Sequence, residues 1–309
     1  MRKYLNKIKK IKEQFKRARC YGNTFYKLVC FLFKKIGYSN DVLLFLEVRN
    51  KVSNYVRKKY YSNLELTHYS DEKCEDNNED VWICWLQGME NAPAIVQKCF
   101  ESVNYWLSDK TIHLITEDNL FTYITVPQYI YTRWKKGKIS NAHFSDAVRL
   151  ELLIKYGGIW IDATVLLSGK IPNYIESAPF FIFQTEKSDI TKAGENWFIK
   201  SNSNNCILLA TKQLYYEFLK NEAKIKDYFI TFIMMTMAIE KYPDEWSRMP
   251  KIPNAISLML GNALLDKFDE KYWSEIHRLS TIHKLTYKLD TAENIDGTYY
   301  EHIINESII

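Results

Sequence analysis

Three charged side chains interrupt otherwise apolar segments at linked positions: Asp146, Arg149 and Asp162. Asp146 and Arg149 stand three apart in FSDAVRLELLIKYGG, whose periodicity predicts a helix from about 143 to 156. Residues three apart on a helix share a face. Gly157 and Gly158 stop that helix, and IWIDATVLL, residues 159–167, predicts a strand. Asp162 falls at the polar end of its apolar run. Ligands of open α/β sheets bind beyond the carboxyl ends of strands, so the three groups are expected to meet in one crevice. Carboxylates accept hydrogen bonds from sugar hydroxyls, and a guanidinium donates to sugar or phosphate oxygens. A sugar nucleotide suits such a crevice. A divalent cation bridging carboxylate and diphosphate would stabilise the departing nucleotide. Plainer readings exist for each part: Asp146 as a helix cap, Arg149 paired with Asp146 or Glu151, and the glycines as an ordinary stop. The joint pattern favours a site.

The elements that must position these groups are legible in outline. VWICWLQG, residues 81–88, predicts a buried strand. Residues 92–106 predict a helix with Ile95, Cys99, Val103 and Trp106 on one stripe, and IHLIT, residues 112–116, predicts a second strand. Strand, helix and strand at this spacing indicate a βαβ unit. Further strands are expected at 180–184 and 197–200, and helices at 204–220 and 224–242. The fold class is therefore α/β, a mostly parallel twisted sheet flanked by helices. Ahead of it, residues 41–60 predict a helix, and DEKCEDNNED, residues 71–80, an acidic surface loop. The expected organisation is a helical region over 1–70, that loop, a body over 81–290 and a tail over 291–309.

Composition narrows the classes. Of 309 residues, 47% are hydrophobic and 26% charged, which argues against bulk disorder, collagen or coiled-coil arrays. The six cysteines, at 20, 30, 74, 84, 99 and 206, show no zinc-type spacing and read as reduced core residues. Residues 1–36 carry 12 Lys or Arg and one acid, Glu13. Within them, Tyr4, Leu5, Ile8, Ile11 and Phe15 recur at helical spacing among cations, which predicts a basic amphipathic helix over 3–19. Three readings stand: a helix on an anionic membrane surface, a solvated helix packed on its own domain, or a nucleic-acid contact. No nucleic-acid motif accompanies the charge, so nucleic acid is not an expected partner. No run of about 18 apolar residues occurs, and MRKYLNKIKK lacks the apolar core of a secretory signal. The expected location is cytoplasmic, peripheral on the inner face of the plasma membrane.

The block SDxxRxxxLxxYGGIWxDAT, read from Ser145 to Thr164, resembles the capsular polysaccharide synthesis proteins of bacteria. These are similar to glycosyltransferase family 32 and to the large clostridial glucosylating toxins. VWICWLQGMENAP and the LITEDN stretch fit the same family, and the resemblance covers roughly residues 80–290. It implies a GT-A-like nucleotide-sugar-binding fold carrying a DxD-type metal motif. It also implies an enzyme, a hexosyl-type glycosyltransferase. The donor it implies is a nucleotide-sugar, with UDP as the expected carrier, and the acceptor a polysaccharide or lipid-linked oligosaccharide.

Carried over by motif, the resemblance implies roles for particular residues. Trp85, Gln87 and Gly88 would border the base and ribose. Ser145, Asp146 and Arg149 would hold the ribose and donor sugar, with Trp160 beside the nucleotide and Asn196 near the sugar. Asp146, Arg149 and Asp162 form the catalytic set. Asp162, the first acid of DxD, would reach the ribose, the sugar or a divalent cation, Mn²⁺ or Mg²⁺. The second acid is replaced by Thr164, a weaker ligand for a hard cation than a carboxylate. His283, in TIHKLTYK, is the candidate late metal ligand. No carboxylate base is identified, and the resembling families retain anomeric configuration, so retention is expected. A non-catalytic scaffold or binding subunit of a polysaccharide synthesis complex is the alternative.

Overall fold

The apolar segments form a sheet that ends where the polar groups begin. The computed structural model describes residues 41–64, 79–185, 189–225, 227–289 and 295–305. Helix α1 (Asp41–Tyr60) precedes β1 (Val81–Cys84), α2 (Ala94–Trp106) and β2 (Ile112–Ile115), and the two strands pair in parallel. Helix α3 (Asn141–Tyr156) leads into β3 (Gly158–Ile161), which pairs in parallel with β1. β4 (Val165–Leu167), β5 (Phe180–Gln184) and β6 (Gly194–Ser201) follow, then α4 (Cys206–Asn221) and α5 (Ile230–Lys241). β7 (Ile282–Lys284) and α6 (Tyr299–Asn305) complete the named elements. The main sheet has the order β2-β1-β3-β6-β5. β6 runs antiparallel to both its neighbours, so four of the five strands point one way. This is the expected α/β class, with a mostly parallel sheet flanked by helices.

α3 is central rather than amphipathic. Phe144, Ala147, Val148, Leu150, Leu152 and Leu153 are all buried, and so are Asp146 and Arg149. Burying both charges on a helix in the core is costly unless they are paired. The Ser140 side chain caps the helix by accepting from His143 N, and Asp146 lies within it. The cap reading for Asp146 therefore does not hold.

The strand expected over 159–167 is broken in two. Asp162 N donates to the Trp197 carbonyl at 2.8 Å, and Val165 N donates to the Asp162 carbonyl at 2.9 Å. The first bond carries the β3–β6 ladder one residue further and the second closes a turn, so residues 165–167 leave the main sheet and pair antiparallel with β7. The helix expected from 224 begins at Ile230. The basic helix expected over 3–19, and all but the last two residues of the acidic loop, lie outside the described residues.

Both chain ends of the described region join the same core. Val52, Val56 and Tyr60 of α1 and Tyr299 and Ile303 of α6 pack in one cluster with the sheet. Glu222 accepts from Tyr60 at 2.9 Å and from Lys59 at 2.6 Å, tying α1 to the end of α4. Arg49 of α1 is buried, pairs with Asp189 and lies 4.0 Å over the Phe229 ring. Described parts of the expected 1–70 region and 291–309 tail are thus continuous with the body. Cys84, Cys99 and Cys206 are free thiols, and burial pushes each up, to about 12, 12 and 11.

The Gly157-Gly158 hinge joins α3 to β3 at positive φ, 72° and 92°. A Cβ at Gly158 would sit 2.3 Å from the Asp80 carbonyl oxygen, which accepts from Ile159 N at 2.8 Å. Gly157 is held from the other side, because Trp82 Nε1 donates to its carbonyl at 2.9 Å. Gly137 has a similar φ of 65° but nothing within 4 Å of a built Cβ. Gly158→Ala should therefore lower unfolding free energy by about 2–4 kcal/mol, against about 1 kcal/mol for Gly137→Ala, as measured by urea denaturation.

Candidate active site

Five elements deliver side chains to one cavity of about 530 Å³ beyond the end of β3. α3 supplies Ser145, Asp146 and Arg149. β3 and the turn after it supply Trp160, Asp162 and Thr164. β6 supplies Asn196, β7 supplies Lys284, and the segment after β1 supplies Trp85 and Gln87.

Arg149 is the hub. Its side chain is only 5% exposed, and its Nη2 lies 3.2 Å from Asp162 Oδ1 and 3.3 Å from Asp146 Oδ1. Its Nη1 donates to the Asn196 carbonyl, and the guanidinium sits 4.9 Å over the Trp160 ring. Asp146 is saturated: Oδ1 accepts from Asn196 Nδ2 at 3.1 Å, and Oδ2 from the Thr231 hydroxyl at 2.7 Å. Asp146 thus braces Arg149 and Asn196 from behind. Burial pushes the Asp146 carboxyl above its ordinary value, against the pull of Arg149, His143 and Thr231.

Asp162 faces the cavity and carries two cations. Oδ1 accepts from Trp160 Nε1 at 2.9 Å, and Oδ2 from Lys284 Nζ at 2.9 Å. Burial pushes its carboxyl up, but Lys284 and Arg149, with the hydrogen bonds from Lys284 and Trp160, hold it net below the ordinary value. Nearby, Glu195 pairs with Lys192 at 2.7 Å and accepts from Asn254 Nδ2 at 2.6 Å. Among the described residues, each of the three carboxylates lining the cavity, Asp146, Asp162 and Glu195, is therefore ion-paired.

Two expected residues are elsewhere. Gly88 does not line the cavity; at φ 82° it turns the chain behind Gln87. His283 is fully buried in β7, bonded through Nε2 to the Ser168 hydroxyl at 2.9 Å, with its ring 4.9 Å from that of His277. Burial and His277 lower its pKa to about 3, so it is a neutral core histidine. Successive strand residues face opposite ways. The residue that β7 turns toward the cavity is the neighbour, Lys284. Sequence reasoning missed Lys284, and also the Lys192–Glu195 pair and Tyr287, whose ring meets Trp85 edge-on at 5.4 Å. Strand alternation in TIHKLTYK was the available signal.

The residues present do not fit the implied divalent cation. Lys284 Nζ also donates to Thr164 Oγ1 at 2.5 Å, so an ammonium already bridges the two positions of the DxT motif. A divalent ion seated between Asp162 and Thr164 would have to displace that ammonium. His283 faces away, and Thr164 offers only a hydroxyl. Among the described residues, no group of three or more His, Cys, Asp or Glu could hold a metal ion.

The chain matches the family model described as "Capsular polysaccharide synthesis protein" over residues 36–303, and it belongs to that family. It is similar to the O-glycosyltransferase braB of Annulohypoxylon truncatum, 32% identical over 28% of this chain and 23% of that protein. It is also similar to the glycosyltransferase afumC of Aspergillus fumigatus, 29% identical over 30% of this chain and 26% of that protein. The matches thus span about a quarter of the length of these curated relatives. A solved structure titled PaToxG Glycosyltransferase aligns over 64% of this chain and 77% of its own, with a TM-score of 0.38 and 14% identity.

Opposite shifts at the two aspartates give opposite pH signatures. Asp162, held below its unfolded value of 3.8, contributes stability that is present above 3.8 and lost as pH falls through its lower native value. Asp146, held above 3.8, gains the folded state stability as pH falls through its raised native value toward 3.8. Urea unfolding from about pH 6 to about pH 3 should show this. The stability advantage of the wild type over Asp162→Asn should shrink with falling pH. The difference between wild type and Asp146→Asn should move in the wild type's favour.

Proposed function

We propose that the chain transfers a sugar from a nucleotide-sugar, with UDP as the carrier, to a capsular or other cell-surface polysaccharide chain, lipid-linked while it grows. Membership of the capsular polysaccharide synthesis family supports sugar transfer. The observation that carries the reading is the arrangement around Arg149: a buried guanidinium clamped by two aspartates on one side of a cavity beyond the sheet. Its volume falls in the range of small-molecule sites. Arg149 and Lys284 would face the diphosphate, Asp162 would accept from ribose or sugar hydroxyls, and Trp85 with Tyr287 would flank the base.

In transfer, the bond from the anomeric carbon to the diphosphate oxygen breaks, and its electron pair stays on the diphosphate. A bond from the same carbon to the acceptor oxygen forms, and the acceptor's hydroxyl proton passes to an oxygen of the leaving phosphate. Cations fixed at the leaving group stabilise the developing charge without reorganising. Inversion would require a free carboxylate as base. Among the described residues the three carboxylates lining the cavity are all ion-paired, which supports retention.

The cationic segment 1–36 supports a peripheral site on an anionic membrane, where a lipid-linked acceptor would be. No described helix is long and apolar enough to cross a membrane.

Release of nucleoside diphosphate from a panel of nucleotide-sugars tests the reading. A UDP-sugar should be turned over, and Arg149→Ala should cut the rate by about 100-fold or more. Silence across the panel would favour the scaffold alternative. NMR of the product should show the donor's anomeric configuration. Full-length protein should bind vesicles containing anionic lipid, and deletion of residues 1–36 should abolish that binding.

A further inference from the structure

We propose that Lys284 takes the place of a divalent cation, so that the nucleoside diphosphate is bound and its departure assisted by the Lys284 ammonium and the Arg149 guanidinium without metal. The inference rests on the nucleotide-sugar reading above. Three observations carry it. The Lys284 ammonium spans Asp162 Oδ2, at 2.9 Å, and Thr164 Oγ1, at 2.5 Å. The other Asp162 oxygen is taken by Trp160 and Arg149. And strand alternation in β7 turns His283 into the core while it turns Lys284 toward the cavity.

Threonine fits this arrangement where a second acid would not be needed. A metal needs anionic ligands to offset its double charge, whereas one ammonium is balanced by one carboxylate. Thr164 supplies the remaining acceptor as a neutral hydroxyl. The charge balance of the cavity agrees: Arg149, Lys192, Lys284 and Lys288 line it, against Asp146, Asp162 and Glu195. Lys284 is held by hydrogen bonds to two neighbours, and an ammonium has three donors, so one can be directed at a phosphate oxygen. When the bond from the anomeric carbon to the diphosphate breaks, the electron pair left on the phosphate oxygen then faces two fixed cations.

Calorimetric titration of UDP into the full chain tests this, in EDTA and again with added Mn²⁺. The expected result is binding in EDTA that Mn²⁺ tightens by less than about threefold. Lys284→Ala should weaken binding in EDTA by about tenfold or more, while Lys284→Arg should stay within a few-fold of the wild type. Thermal unfolding of each variant reports whether it is folded, and the wild-type titration stands even where a variant is not. Wild-type binding that requires Mn²⁺ overturns the proposal and leaves the nucleotide-sugar reading intact. Unchanged binding by a folded Lys284→Ala overturns it as well. Absence of binding by UDP, GDP and CDP alike, with and without Mn²⁺, overturns the nucleotide reading and the proposal with it.

Discussion

The site depends on one electrostatic clamp, the Asp162 carboxylate gripped by Arg149 on one side and Lys284 on the other. Arg149 is buried, and Lys284 is half-buried beside it. A charge taken from water must be paired and hydrogen-bonded, or the folded state loses several kcal/mol. Here the pairing runs in a chain: Thr231 and Asn196 satisfy Asp146, Asp146 and Asp162 satisfy Arg149, and Asp162 with Thr164 satisfies Lys284. Its members come from α3, the turn after β3, β6, α5 and β7. The chain therefore ties these elements together at the point where β3 stops.

The apolar architecture makes that chain possible. β3 is buried along its whole length, and its α3 approach is made through two glycines pressed against neighbouring backbone. This fixes where the strand ends, and hence where Asp162 leaves the sheet. The hydrogen bond from Val165 N to the Asp162 carbonyl then turns the chain before β4. With β4 displaced, β7 can pair beside it and bring Lys284 within reach.

What the sequence disclosed follows from the range of the interactions. Asp146 and Arg149 lie within one helix, and the GGIWID run carries its own stop signal and apolar strand, so spacing alone placed them together. The βαβ unit was legible for the same reason. The break at Asp162 was not, because the apolar run resumes after it, and what takes residues 165–167 out of the main sheet is their pairing with β7, far along the chain. Lys284 was missed because it stands 122 residues from Asp162, and choosing between it and His283 required the pairing face of β7. The resemblance pointed to a late residue in TIHKLTYK as a metal ligand, and strand geometry brings its neighbour to that position instead. Histidine invites a ligand reading. The face of the strand decides.

The buried Arg49 of α1 bears on where the working unit of this protein begins. It pairs with Asp189 and stacks on Phe229, a residue of the cavity wall. A fragment starting at residue 81, where the sheet starts, would leave Asp189 buried without this cation and strip the packing from behind Phe229. The smallest portable unit that keeps this cavity wall intact is therefore set by a helix that precedes the sheet, and domain exchange or fusion at this end has to carry α1 along.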